Sequence, residues 1–192
     1  MNKTKFFSLL FIAGGMLFCS YGIWGIGEIT KQTNHSLAEA KEAIQQPKKE
    51  WKDNQENRFV PPIGEAVGMV EIPKINGVLP IVEGTEADDL AKGVGHYRGS
   101  FFPKEKGQIV LSGHRDTVFR RAGELETGDT IMIVLPYGKF EYKITSSKIV
   151  EADDTSVITL DNKKEELVLT TCYPFSYIGN APQRYILYAK PI

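Results

Sequence analysis

Apolar and polar positions divide the chain into three stretches with different periods. Residues 6–27 carry no charge and are rich in Phe, Leu, Ile and Gly. A run of about 20 apolar residues is long enough to cross a hydrocarbon core as a helix. Residues 28–62 are polar, with many Lys, Glu, Gln and Asn. Within them Leu37, Ala40 and Ile44 recur at helical spacing and Pro47 stops the pattern. This predicts a short juxtamembrane helix over 35–46, then a charged tether that Pro61-Pro62 closes. From 63 to 192, short Val/Ile-rich runs alternate with Gly, Pro, Asn and Asp. Strands are predicted at 66–72, 78–82, 109–113, 130–134, 140–150, 166–171 and 185–189, and short helices at 87–92 and 117–122. Such spacing argues for one all-β sandwich or barrel, and roughly 130 residues suffice for a domain with its own core.

Flanking charges orient the first stretch. Lys3 and Lys5 precede it and Glu28 follows. The positive-inside rule then puts residues 1–5 in the cytoplasm and everything after Glu28 outside, with 6–27 as a single-pass signal anchor. Tyr21 and Trp24, near the outer end, suit an interfacial belt. A cleaved signal peptide would need small residues at its cleavage site, and no Ala-x-Ala pattern follows Phe18. A lipidated Cys19 would need a small residue before it, where Phe18 stands.

A net charge of −1 gives no electrostatic case for nucleic acid. Two cysteines, Cys19 and Cys172, leave one thiol outside the apolar stretch, so no disulfide can form within the outer part. One Cys and scattered His lack the paired spacing of a zinc site. The acidic positions Glu151, Asp153, Asp154, Asp161, Glu165 and Glu166 read as a solvated loop before a calcium site. No cofactor or metal is therefore expected, with calcium stimulation the single candidate.

Candidate chemistry gathers at three strand edges. Cys172 ends one apolar run, His114 ends another, and Arg184 opens a third. A thiolate attacks carbonyls where a thiol does not, so such a cysteine needs a base or a positive field. His114 can relay protons, and Arg184 can donate to an oxyanion without losing its charge. Each residue also has a bland role: a buried small hydrophobe, a turn histidine, an exposed strand charge. His96 competes for the base position, whereas His35 falls in the tether. Folding alone can join His114 to Cys172. If the three runs neighbour one another and the Arg184 strand is antiparallel to that of Cys172, all three meet at one rim.

Leu169-Thr170-Thr171-Cys172 resembles the Thr-Leu-x-Thr-Cys signature of sortases, with Val168 where the first Thr stands. Ser112-Gly113-His114-Arg115 is similar to that family's histidine strand, and Arg184-Tyr185 heads the last strand as it does there. Ile72-Pro73-Lys74-Ile75, Leu79 to Thr85, Leu90 to His96, Cys172-Tyr173-Pro174-Phe175 and Ala181 to Tyr185 extend the likeness, which is greatest to class D sortases of bacilli. The resemblance implies a mainly β fold: a closed eight-stranded barrel over 63–192, with short connecting helices, after one N-terminal transmembrane helix. It implies Cys172 as nucleophile, His114 as general acid/base, Arg184 as oxyanion and substrate stabiliser, and Thr171 as a residue that shapes the substrate groove. It gives His96 no catalytic part. It also implies the reaction, cleavage of an LPxTG- or LPxTA-like sorting signal of a surface protein after Thr. The acyl group then passes from a thioester to a stem-peptide or cross-bridge amine of peptidoglycan or of its lipid II precursor, at the cell membrane. Two other readings compete. A non-catalytic barrel that binds a surface polymer would leave Cys172 replaceable. An L,D-transpeptidase would carry His where Thr170 stands.

Overall fold

The computed structural model describes residues 3–46, 59–160, 163–176 and 179–192. Eight strands form a closed barrel: β1 (Ala66–Ile72), β2 (Gly77–Glu83), β3 (Val94–His96), β4 (Gln108–Gly113), β5 (Thr130–Leu135), β6 (Gly138–Glu151), β7 (Glu166–Tyr173) and β8 (Gln183–Pro191), in the spatial order β1-β2-β3-β4-β7-β8-β6-β5. The barrel expected from the resemblance is the fold observed. Pairing is antiparallel except for β2 with β3 and β4 with β7. Closure leaves no open sheet edge.

Period-2 alternation sorts each strand between two cores. On β7, Leu167 and Leu169 point into the barrel and join Val70, Ile109, Leu111, Ile133 and Ile144. Val168, between them, faces outward and packs with Val110, Val150, Val157 and Ile186. The residue that departs from the sortase signature is thus a fully buried packing position, 0% exposed.

Helix α1 (Lys3–Gln45) is one unbroken helix of 43 residues. It crosses the boundary expected at 27/28 and includes the helix expected over 35–46; Pro47 and the tether to 58 lie outside the described residues. Its first half exposes Phe7, Leu10, Phe11, Leu17, Phe18 and Trp24. By length and composition it is a candidate membrane span. Its second half docks on the barrel, where Leu37, Ala40 and Ile44 pack with Ala66, Met69, Val82 and Val134. The three residues with helical spacing cover the sheet instead of facing water.

Two further elements differ from expectation. Helix α2 (Ala87–Lys92) forms, but 117–122 is a series of turns that ends in a 3₁₀ turn at Ala122–Glu124. Phe119, 1% exposed, is drawn into the core, and its N–H donates to His114 O at 3.0 Å, which opens the first turn beyond helical spacing. The three-residue strand β3 is too short to show as an alternating run.

Candidate active site

Register brings the three strand edges together. In the antiparallel β7–β8 ladder Cys172 lies directly opposite Arg184. In the parallel β4–β7 ladder Gly113 lies opposite Thr171, so the next residues, His114 and Cys172, stand level at the same rim. One cleft of about 280 Å³ is lined by His114, Arg115, Asp116, Cys172, Gly179, Asn180, Ala181 and Arg184. His114, Cys172 and Arg184 are each half-buried. Larger clefts run between α1 and the barrel.

Local packing fixes His114. A Cβ at Gly113 would come within 2.6 Å of the Phe119 ring and 2.7 Å of Val118, so only glycine lets the following loop fold back under the histidine. Thr171 is 5% exposed, and its Oγ1 donates to Gly113 O at 2.7 Å. This side-chain bond clamps the histidine strand to the cysteine strand one residue before both groups. Thr171 therefore stands behind the cleft.

Two arginines brace the loop between β7 and β8. Arg184 Nη1 donates to Ala181 O at 3.2 Å and Gln183 O at 3.0 Å. Arg115 Nη2 donates to Gly179 O at 2.7 Å. Among the described residues, Nε and Nη2 of Arg184 make no hydrogen bond and are available to an acceptor. No hydrogen bond joins His114 to Cys172 either; such contacts often tighten only when substrate binds. Tyr173, Phe175 and Tyr185 form an aromatic group with centroids 5.4–6.2 Å apart, in which Phe175 meets both tyrosines edge to face and the two tyrosine rings stack. Phe175 lies over Gly123, where a Cβ would come within 2.7 Å of its ring. Arg115 is next to the histidine in sequence, but nothing in the sequence pairs it with Gly179, 64 residues away.

The competing histidine sits elsewhere. His96 is 1% exposed and stacks on Phe102, with centroids 3.9 Å apart. Its Nδ1 meets Glu83 Oε2 at 2.6 Å, and Nε2 meets Ser100 Oγ at 2.9 Å and Phe101 O at 3.1 Å. With every ring nitrogen engaged in the core, it has no route to Cys172. His35 pairs with Glu39 on α1.

The acidic residues are dispersed. Asp154 accepts from Ser156 N and Oγ, which hold its carboxyl below the usual carboxylate range. Glu165 accepts from the Tyr142 hydroxyl, and Glu151 from Gln183 Nε2. Asp161 lies outside the described residues. Among the described residues no three His, Cys, Asp or Glu gather as a metal site.

A thiol, an imidazole and a guanidinium on one cleft can carry acyl transfer, and known proteins with this fold support that chemistry. The Sortase domain family matches residues 70–192. Sortase D of Bacillus subtilis (strain 168) is 55% identical, and the match covers 98% of each chain. Sortase SrtE1 of Streptomyces coelicolor is 31% identical over 86% of this chain and 51% of its own. Among solved structures, the Clostridium perfringens Sortase D5 transpeptidase superposes with a TM-score of 0.71 at 28% identity, covering 84% of this chain and 99% of that one.

Proposed function

The chain belongs to the sortase family and is a cysteine transpeptidase, and from that premise we propose that it cleaves LPxTG- or LPxTA-like sorting signals of surface proteins after Thr. Cys172 attacks the threonyl carbonyl carbon, and His114 gives the leaving amine its proton. Arg184 donates to the carbonyl oxygen as it becomes an oxyanion, through the nitrogens not spent on Ala181 and Gln183. The thioester formed on Sγ is then attacked by an amine of peptidoglycan or of its lipid II precursor, with His114 taking the proton from the incoming nitrogen. Thr171 shapes the groove from behind, by holding β4 against β7. The thiolate supplies the nucleophile, so the reaction calls for no metal or cofactor. The apolar half of α1 anchors the enzyme in the cell membrane, with the N-terminus cytoplasmic and the barrel outside.

The observation that carries this reading is the pairing of Cys172 with Arg184 at the level where His114 leaves β4. Its test is a library of quenched fluorogenic peptides varied around Leu-Pro-x-Thr-Gly and Leu-Pro-x-Thr-Ala. Cleavage confined to peptides with Leu-Pro and Thr in place is the expected result. Indifference to those positions would reject the sorting-signal reading.

A further inference from the structure

We infer that the catalytic rim faces the membrane, so that the enzyme takes sorting signals still embedded in the bilayer and set off from it by only a few residues. The inference rests on the transpeptidase reading and on the apolar half of α1 lying in the bilayer.

Contacts along α1 give the direction. Ile29, Thr30 and Thr33 border a cleft of about 540 Å³ whose far wall includes Gly77, Asp116 and Thr117. Asp116 also lines the Cys172 cleft. Further along, Glu42 and Ala43 of α1, and Gln46 just after it, border Gly64 and Ala66, where β1 begins. The other end of β1, Ile72, pairs with Gly77 on the catalytic side. The helix therefore runs down the barrel from the catalytic rim to the opposite one. Ser36, Ala40 and Ala43, no more than 5% exposed, let it lie close against the sheet.

Distance follows from helix geometry. The charge-free stretch ends at Gly27. Thr33 is six residues on, or about 9 Å at about 1.5 Å per residue. The loop after His114 thus stands about 10 Å from the bilayer surface. Extended peptide covers about 3.3–3.6 Å per residue, so three or four residues suffice between the scissile bond and a bilayer-embedded segment. With the rims exchanged, the length of β4, about 20 Å at about 3.3 Å per residue, would add about six residues to that minimum.

The test uses the full chain in liposomes, with sorting peptides held by their own transmembrane segment through spacers of two to sixteen residues. Cleavage should begin at about three or four. Eleven helix-forming residues inserted between Gly27 and Glu28 complete three turns and keep the docked face in phase. They lift the rim about 16 Å, so the minimum spacer should rise by about five residues while an untethered peptide is cleaved as before. A parent minimum of ten or more, or one that ignores the insertion, overturns the inference. If neither tethered nor free peptide is cleaved, the sorting-signal reading fails, and orientation is then measured without turnover. In a Cys19→Ser chain, a fluorophore on Cys172 should transfer energy to headgroup acceptors more efficiently than one on Lys139→Cys in the Cys19→Ser/Cys172→Ala chain. The reverse ranking, or a chain that does not float with the liposomes, overturns the inference as well.

Discussion

Cys172 and Arg184 face each other across the β7–β8 ladder as direct register partners. Opposed residues in an antiparallel pair have Cβ atoms about 4.5–5.5 Å apart, so the thiol and the guanidinium share one surface. Arg184 Nη1 is tied to the carbonyls of Ala181 in the loop and Gln183 at the start of β8, which fixes the plane of the fork. An ammonium cannot both hold that loop and present a second donor. Arg184→Lys should lose about 10²–10³ in rate, the usual cost of one oxyanion donor, with kcat and KM both impaired. Steady-state kinetics on a sorting-signal peptide check this; activity within threefold of the parent would make Arg184 a background charge.

The two histidines should separate cleanly. His114→Ala should be inactive yet as stable as the parent, because the side chain lies on a cleft and makes no hydrogen bond among the described residues. His96→Ala should be destabilised by about 3–5 kcal/mol, since it leaves Glu83 buried without its partner, while the folded fraction keeps its kcat. Thermal melts paired with active-site titration distinguish the two. An inactive, fully folded His96→Ala would reverse the assignment.

Thr171→Val keeps the volume and removes the hydroxyl that meets Gly113 O. A buried carbonyl left unsatisfied costs about 1–3 kcal/mol, and the His114 strand loses its clamp. The expected outcome is a stability loss of that size and a several-fold fall in kcat, with Cys172 labelled by iodoacetamide at the parent rate. Unchanged kcat would confine Thr171 to packing.

How much of this was legible depends on the range of the interaction. Seven of the eight strands announce themselves as Val/Ile-rich runs, because alternation is a local signal. β3 does not, since Val94–His96 is too short to alternate. The 117–122 segment reads as helical, yet burial of Phe119 and its bond to His114 O override local propensity. Leu37, Ala40 and Ile44 mark a helix in the sequence, but their partners Met69, Val82 and Val134 lie far along the chain. Cys172, His114 and Arg184 stand out by residue type and strand-end position. The clamp by Thr171 and the clasp of Arg115 on Gly179 depend on non-local register, which no spacing reveals.

The barrel end opposite the cleft should respond to alkali. Tyr142 is buried and its hydroxyl donates to Glu165 Oε1 at 2.6 Å. Burial first, and the carboxylate second, hold its pKa above the usual tyrosine value, and burial does the same for Tyr137. A raised phenol contributes stability that is complete below the ordinary value of about 10 and is lost as pH climbs above it. Tyr142→Phe should be less stable than the parent by about 1–3 kcal/mol at pH 8, with a smaller gap at pH 11. Urea denaturation at both pH values measures it; an identical gap would remove the phenol from the alkaline transition.

In the proposed mechanism Cys172 carries the acyl group. Mixing the enzyme with a Leu-Pro-x-Thr-Gly peptide, quenching in acid and mapping the digest by mass spectrometry tests it directly. The expected product is a peptide containing Cys172 that is heavier by the acyl fragment ending in Thr, an adduct that disappears on adding hydroxylamine and never forms in Cys172→Ala. Cleavage of the peptide by Cys172→Ala, or an acyl group carried elsewhere on the chain, would contradict it.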